Sequence, residues 1–234
     1  MSNSKVFHVL NGDCLAETLG KVIDKSQMII WRECLIEGPV KKENFWINRR
    51  NFIAQTYSES EVGYQQKVIS EFQNFENIED ASVIYFWFED DVFCQLNLWF
   101  LLSEVKKDLK LFRVFPKEES WDGFANLTTT DFENQIDKSI EISEQDIALA
   151  KKLWKAFSED DLEELKKLSS ENSKVFRKLS LIVDSIIDLK SGKIQSELKD
   201  LSENYKNFED LFEEVKLKYG VFGFGDLQVQ NLIK

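Results

Sequence analysis

The run Val83-Ile84-Tyr85-Phe86-Trp87-Phe88 constrains this chain more than any other segment. An extended strand with large apolar residues on both faces must be covered on both faces, which is the condition of a central strand in a parallel sheet layered between helices. The acids Glu89-Asp90-Asp91 stop the run, and residues 93–105 then spell a helix that is apolar nearly all round, through Phe93, Leu96, Leu98, Trp99, Phe100, Leu101 and Leu102. A helix with no broad polar face is buried, here against the sheet.

The neighbouring segments fit the same architecture. Residues 6–10 form a short apolar run that ends in Asn11-Gly12-Asp13, and Leu15, Leu19, Val22 and Ile23 continue at helical spacing over residues 14–23. Residues 27–31 read as a second strand, closed by Arg32-Glu33-Cys34-Leu35-Ile36-Glu37-Gly38-Pro39, where Gly-Pro marks a turn. Residues 45–75 read as helices, and residues 109–115 as a fourth strand ended by Pro116. Strand and helix alternate, which predicts an α/β fold: a three-layer, mainly parallel, Rossmann-like sheet domain over residues 1–125.

Beyond residue 125 the texture is helical. Ser143-x-x-Asp146 and Ser158-x-x-Asp161 match relaxed capping boxes, each opening an amphipathic helix, to about Phe157 and Leu168. Further helices are expected over about 173–189 and 208–219, each with a glycine soon after its end, Gly192 and Gly220. No linker composition intervenes, so residues 126–234 are expected as an all-helical subdomain packed on the sheet domain. Gly220-Val221-Phe222-Gly223-Phe224-Gly225-Asp226 imitates a glycine fingerprint but lacks a βαβ context, and reads as a turn docking the last segment onto the body.

Composition narrows the function classes. With 42 acidic against 30 basic residues, the net charge of −12 argues against a nucleic-acid partner. No window approaches the roughly 18 consecutive apolar residues of a membrane span. The start, Met-Ser-Asn-Ser-Lys, leads into an apolar run too short for a signal sequence. Cys14, Cys34 and Cys94 are odd in number and widely spaced, which offers neither a disulfide framework nor a paired-cysteine zinc motif; the expectation is a reduced, cytoplasmic protein. The single histidine, His8, lies in a buried strand and reads as a hydrogen-bonded core imidazole.

Ligands of open α/β sheets bind outside the carboxyl ends of the strands. Those ends carry Asn11-Gly12-Asp13, then Arg32-Glu33 and Glu37-Gly38, then Glu89-Asp90-Asp91 with Gln95 one helical turn beyond Asp91. Six carboxylates (Asp13, Glu33, Glu37, Glu89, Asp90, Asp91) converging there need cations: Arg32, Arg49 or Arg50, a divalent ion such as Mg²⁺, or a cationic group of the ligand. Asp13 and Asp91 are the candidate catalytic residues, as general base or metal ligands. Asn11, Gly12, Arg32, Glu33, Gly38, Arg49, Glu89 and Gln95 are the candidate ligand-binding residues, with Arg32 and Arg49 as anion partners and Gln95 as an orienting donor. The plainer reading makes Asp13 and Asp91 helix N-caps, Gly12 a turn residue, and Cys34 and Cys94 packing residues. Cys14 begins a helix but has no obvious base beside it.

Three segments, Phe7-His8-Val9-Leu10-Asn11-Gly12-Asp13, Trp31-Arg32-Glu33-Cys34-Leu35-Ile36-Glu37-Gly38-Pro39 and Phe86-Trp87-Phe88-Glu89-Asp90-Asp91-Val92-Phe93-Cys94-Gln95-Leu96-Asn97-Leu98, resemble the signatures of the bacterial domain of unknown function 1835 family. The resemblance covers residues 5–115. Leu153-Trp154-Lys155-Ala156-Phe157 and Gly223-Phe224-Gly225-Asp226-Leu227-Gln228 are similar to its C-terminal companion region. It implies no activity, only that Asp13, Glu33, Gly38, Pro39, Asp91 and Gln95 stand at signature positions. The expected function is binding or processing of a small phosphorylated or nucleotide-like metabolite at the strand ends. The alternative is a non-catalytic regulatory or protein-interaction module whose strand-end carboxylates hold the loops together.

Overall fold

A computed structural model describes residues 4–106, 108–117 and 120–234. Strands β1 (Val6–Asn11), β2 (Met28–Trp31), β3 (Val83–Trp87) and β4 (Lys110–Val114) are mutually parallel, and a two-residue β5 (Ile140–Glu141) pairs antiparallel with β4. The order is β2-β1-β3-β4-β5, so the doubly apolar strand is the middle one. His8 stands opposite Met28 on one side and Tyr85 on the other, and Tyr85 opposite Phe112.

Alternation along the strands sorts the core into two layers. Val9, Ile29, Trp31, Ile84, Phe86 and Leu111 face one side, Leu10, Ile30, Trp87 and Val114 the other. The chain steps from β1 outward to β2, then reverses across β1 to β3; right-handed crossovers therefore place the helix after β1 on one face and those after β2 and β3 on the opposite face. Accordingly α1 (Asp13–Leu19) covers the smaller face, joined by α6 (Phe132–Asp137), whose Phe132 stacks on Trp87 at 5.6 Å. The larger face receives α2 (Phe45–Tyr57), then α3 (Glu61–Tyr64), which continues through a π turn into α4 (Ser70–Glu76), and α5 (Val92–Ser103).

Phe100 of α5 is the hub of that face. Its ring packs against Trp31, Phe45, Trp46, Phe72 and Trp154, with centroids 5.1–5.9 Å apart, and so joins β2, α2, α4, α5 and α7 (Glu144–Ser158). The rest of the chain is helical: α8 (Leu162–Leu168), α9 (Leu179–Lys190), α10 (Lys193–Ser202), α11 (Phe208–Tyr219) and α12 (Asp226–Leu232). One apolar cluster runs from Val9 to Val229, so these helices share the core of the sheet; α6 and β5, both beyond residue 125, belong to the sheet layers themselves. No described helix is long and apolar enough to cross a membrane.

The structure revises several boundaries. The first helix ends at Leu19 instead of running to residue 23, because Gly20 follows and the next residues turn. Ser143 and Asp146 form the expected capping box, but Ser158 belongs to the last turn of α7; Asp160 turns the chain at φ 59° and Asp161 caps α8 by accepting from the Glu164 amide. Ser173 begins no helix: its hydroxyl accepts from the Val175 and Phe176 amides, and α9 starts only at Leu179. Helices α6, α10 and α12 and strand β5 were not foreseen.

Buried Arg113 ties the helical part to the sheet. Its guanidinium, pointing to the larger face, donates to the Glu89 carbonyl at 2.8 Å, to Asp90 at 2.9 Å and to the Val175 carbonyl. Asp90 also accepts from Arg177, just before α9.

The sole histidine reports on the smaller face. Trp87 Nε1 donates to His8 Nδ1 at 3.1 Å, and burial pulls the imidazole pKa from its ordinary 6.5 to about 4. Because the folded pKa is the lower one, this contribution to stability is complete above pH 6.5 and is lost as pH falls toward 4, about 3 kcal/mol in total. The single set of imidazole NMR resonances should stay neutral down to about pH 4; a midpoint near 6.5 would contradict this burial.

Candidate functional site

The loop after β2 is built around a buried charge. Arg49 and Glu33 are fully buried, with Nη2 2.5 Å and Nε 3.0 Å from the two carboxylate oxygens. Arg49 also donates to the carbonyls of Cys34 at 2.8 Å and Glu37 at 2.5 Å. Glu33 further accepts from the Tyr64 hydroxyl at 2.5 Å and the Cys34 amide at 2.6 Å, and the Glu33 carbonyl accepts from Asn97 at 3.0 Å. The loop is thus wound on a guanidinium supplied by α2. Arg49 reaches it because it follows Phe45 by four residues and precedes Phe52 by three, on one helical stripe.

This loop forms one wall of an open cleft of about 510 Å³ at the strand carboxyl ends. Cys34, Tyr57 and Gln228 line it, and Glu37 stands behind all three. Glu37 Oε1 accepts from the Cys34 thiol at 3.1 Å, from Gln228 Nε2 at 3.3 Å and from the Tyr57 hydroxyl. Gln228 Nε2 also lies 3.1 Å from Cys34 Sγ, while its Oε1 accepts from the Gly225 amide at 2.9 Å. Burial pushes the Glu37 carboxyl above its ordinary range, against the hydrogen bonds from Cys34 and Gln228. Burial and the nearby Glu37 push the Cys34 thiol up, so it is held as a thiol and not as a nucleophilic thiolate. At the rim, Arg32 grips Asp13 through Nε and Nη2 at 2.7–3.0 Å, and Lys67 pairs with Glu59. The hydrogen bond from Arg32 keeps Asp13 below the usual carboxylate range. Ile53, Val68, Phe93 and Leu227 supply apolar wall.

A second group lies at the switch point between β1 and β3. Glu89, Asp91 and Cys94 each offer a ligand atom within 4.8 Å of the others. Asp91 is the N-cap of α5 and accepts from the Cys94 amide at 2.8 Å; Glu89 accepts from the Phe124 amide at 2.6 Å; Asn11 Nδ2 lies 2.9 Å from Cys94 Sγ. Burial and the adjacent Asp91 raise Glu89 to about 8, and burial also raises Asp91 and Cys94.

The expected site residues therefore divide. Asp13 and Arg32 line the cleft, paired with each other. Asp13 is the first residue of α1 and caps nothing with its side chain, whereas Asp91 is a true N-cap. The two do not come together: Asp91 is sealed beneath the C-terminal segment and is absent from the cleft wall. Glu33 and Arg49 are engaged with each other, Gly38 lies over the Phe52 ring, and Gly12 closes the β1 turn by donating to the Trp31 carbonyl at 2.9 Å. Gln95 donates to the Glu89 carbonyl at 2.7 Å, and Asn11 and Glu89 belong to the switch-point group. Cys34 and Cys94, read as packing residues, both face carboxylates. Asp91 and Cys94 are N-cap and N3 of one helix, a spacing that brings them into contact. Tyr57 and Gln228 carried no such signal in the sequence.

No protein-family model, curated protein or solved structure matches the chain.

Removing Glu33 leaves Arg49 buried without a counter-charge, so Glu33→Ala should cost about 3–5 kcal/mol of unfolding free energy in urea titration. Asp13→Ala breaks a pair whose carboxylate side chain is 61% exposed and should cost about 1 kcal/mol or less. Equal losses would contradict this division.

Proposed function

We propose that this protein binds a small polar metabolite in the cleft at the strand carboxyl ends, and that Cys34, Tyr57 and Gln228 recognise it. The observation that carries this reading is Glu37: a half-buried carboxylate held by a thiol, a phenol and an amide from three separate segments that all line the cleft. Desolvating a carboxylate is costly, and this one, although the nearby Arg49 guanidinium favours its charge, forms no ion pair with an arginine or lysine among the described residues; such groups cluster where a protein handles a ligand. Arg32 and Lys67 stand at the rim paired with the acids Asp13 and Glu59, and an anionic end of the ligand, as in a phosphorylated or nucleotide-like compound, would exchange with those carboxylates. The kinship suggested by the three strand-end signatures, with the bacterial domain of unknown function 1835 family, and a cytoplasmic location are part of the same proposal.

A groove of similar size, about 520 Å³, lies outside α1 and β2, but its polar walls are Glu17, Lys21, Lys25, Glu71 and, shared with the cleft, Asp13. The two are separated by a thermal-shift panel of nucleoside phosphates and sugar phosphates, followed by crystal soaks. Compounds that raise the melting temperature should lie against Cys34, Tyr57 and Gln228. Glu37→Ala should weaken them by about tenfold or more, as loss of a supporting shell does, while Lys21→Ala should leave them unchanged. Ligands seated in the outer groove, or indifferent to Glu37→Ala, would overturn the reading.

A further inference from the structure

The structure points to a second site, independent of the cleft: we propose that Glu89, Asp91 and Cys94 bind a thiophilic divalent cation of the Zn²⁺ class, with the Asn11 side-chain carbonyl as the neutral donor beside it. The donors converge from the ends of β1 and β3, the crevice where the strand order reverses and where open α/β sheets take their ligands.

Distances within the group leave room for a shared ion among the three side chains. Cys94 Sγ lies 3.8 Å from Glu89 Oε2, the distance of a long thiol–carboxylate hydrogen bond. A thiolate and a carboxylate oxygen on one tetrahedral Zn²⁺, at about 2.3 and 2.0 Å from the metal, stand about 3.5 Å apart. Asn11 gives a separate indication. Its Nδ2 lies against Cys94 Sγ, as a donor that stabilises a thiolate would, but its Oδ1 is closed off from solvent and has no hydrogen-bond partner. A cation held among these side chains, beside the Asn11 amide that already touches Cys94, would give that oxygen a partner.

The surroundings hold the group in place. Asp91 and Cys94 are held at the first turn of the twelve-residue α5 by the hydrogen bond that the Cys94 backbone amide donates to the Asp91 carboxylate. Two backbone segments press on the carboxylates: a Cβ at Gly123 would come within 1.9 Å of Glu89, and one at Gly223 within 2.3 Å of Asp91. Both glycines have positive φ, so their loops can approach this closely. Among the described residues no lysine or arginine reaches Glu89 or Asp91, whereas Asp90 between them takes both Arg113 and Arg177. A thiol in the donor set selects Zn²⁺, Co²⁺ or Fe²⁺ over Mg²⁺, which demands oxygen ligands.

The test is titration of the chelator-stripped full chain with Co²⁺, followed by displacement with Zn²⁺. One Co²⁺ per chain should bind with a thiolate-to-cobalt charge-transfer absorption, Zn²⁺ should abolish the band, and excess Mg²⁺ should not. The band should persist in a Cys14→Ser/Cys34→Ser double variant and vanish in Cys94→Ser, with circular dichroism confirming the fold. Asn11→Ala should weaken Co²⁺ about tenfold. A folded wild-type chain without the band, or a band lost with Cys34 and retained without Cys94, overturns the site. If Cys94→Ser does not fold, Asn11→Ala decides, and an unchanged Co²⁺ affinity overturns the proposal.

Discussion

A guanidinium closed off from water must be neutralised where it sits, and at Arg49 that requirement shapes the whole β2 end. Glu33 balances the charge, and the remaining donors of Arg49 fix the carbonyls of Cys34 and Glu37. The loop therefore takes its form from a guanidinium supplied by α2 together with its own Glu33. Helix α2 is in turn placed by Phe45 and Trp46 on Phe100, the hub of the larger face. A chain of dependence runs from the apolar circumference of α5, through the aromatic cluster, to the position of a thiol and a carboxylate in the cleft wall.

Asp90 imposes a parallel constraint at the end of β3. By accepting from Arg113 on β4 and Arg177 before α9, it couples the sheet to the helical part. That coupling is cooperative with apolar packing, since the same cluster carries Leu153, Ile182 and Val229. It also accounts for the approach of the last segment: Gly223 settles on Asp91 and Gln228 reaches Cys34 and Glu37. The C-terminal residues complete both strand-end sites, although they are the most distant from them in sequence.

Much of this was legible before the structure. The doubly apolar β3 and the apolar α5 demanded a central parallel strand between helical layers, because such surface has no other place to go. Of the two candidate catalytic acids that the plainer reading made N-caps, Asp91 is one and Asp13 is not, while the glycine-rich 220–226 stretch docks as the turn it resembles. What escaped was of two kinds. Short elements such as β5 and α12 carry too few periods to stand out from a loop. Partnerships across the chain, such as Gln228 with Glu37 or Arg177 with Asp90, depend on packing that no local pattern encodes. Arg49 is the instructive intermediate: its stripe with Phe45 and Phe52 marks it as inward-facing, yet a charge on an apolar stripe reads equally as a ligand-binding arginine until its partner is known.

The acidic excess of 42 residues over 30 takes on a sharper meaning at the strand ends. A carboxylate already held by a guanidinium is spent: it can neither accept a cation nor move a proton without leaving a buried arginine uncompensated. By that criterion Glu33 and Asp90 are structural, and Asp13 is committed to Arg32 at the rim. Glu37, Glu89 and Asp91 are the strand-end acids whose carboxylates form no ion pair with an arginine or lysine among the described residues, and each is pushed upward by burial. The chemistry open to this fold is therefore concentrated on those three carboxylates and the two thiols, Cys34 and Cys94, that lie against them.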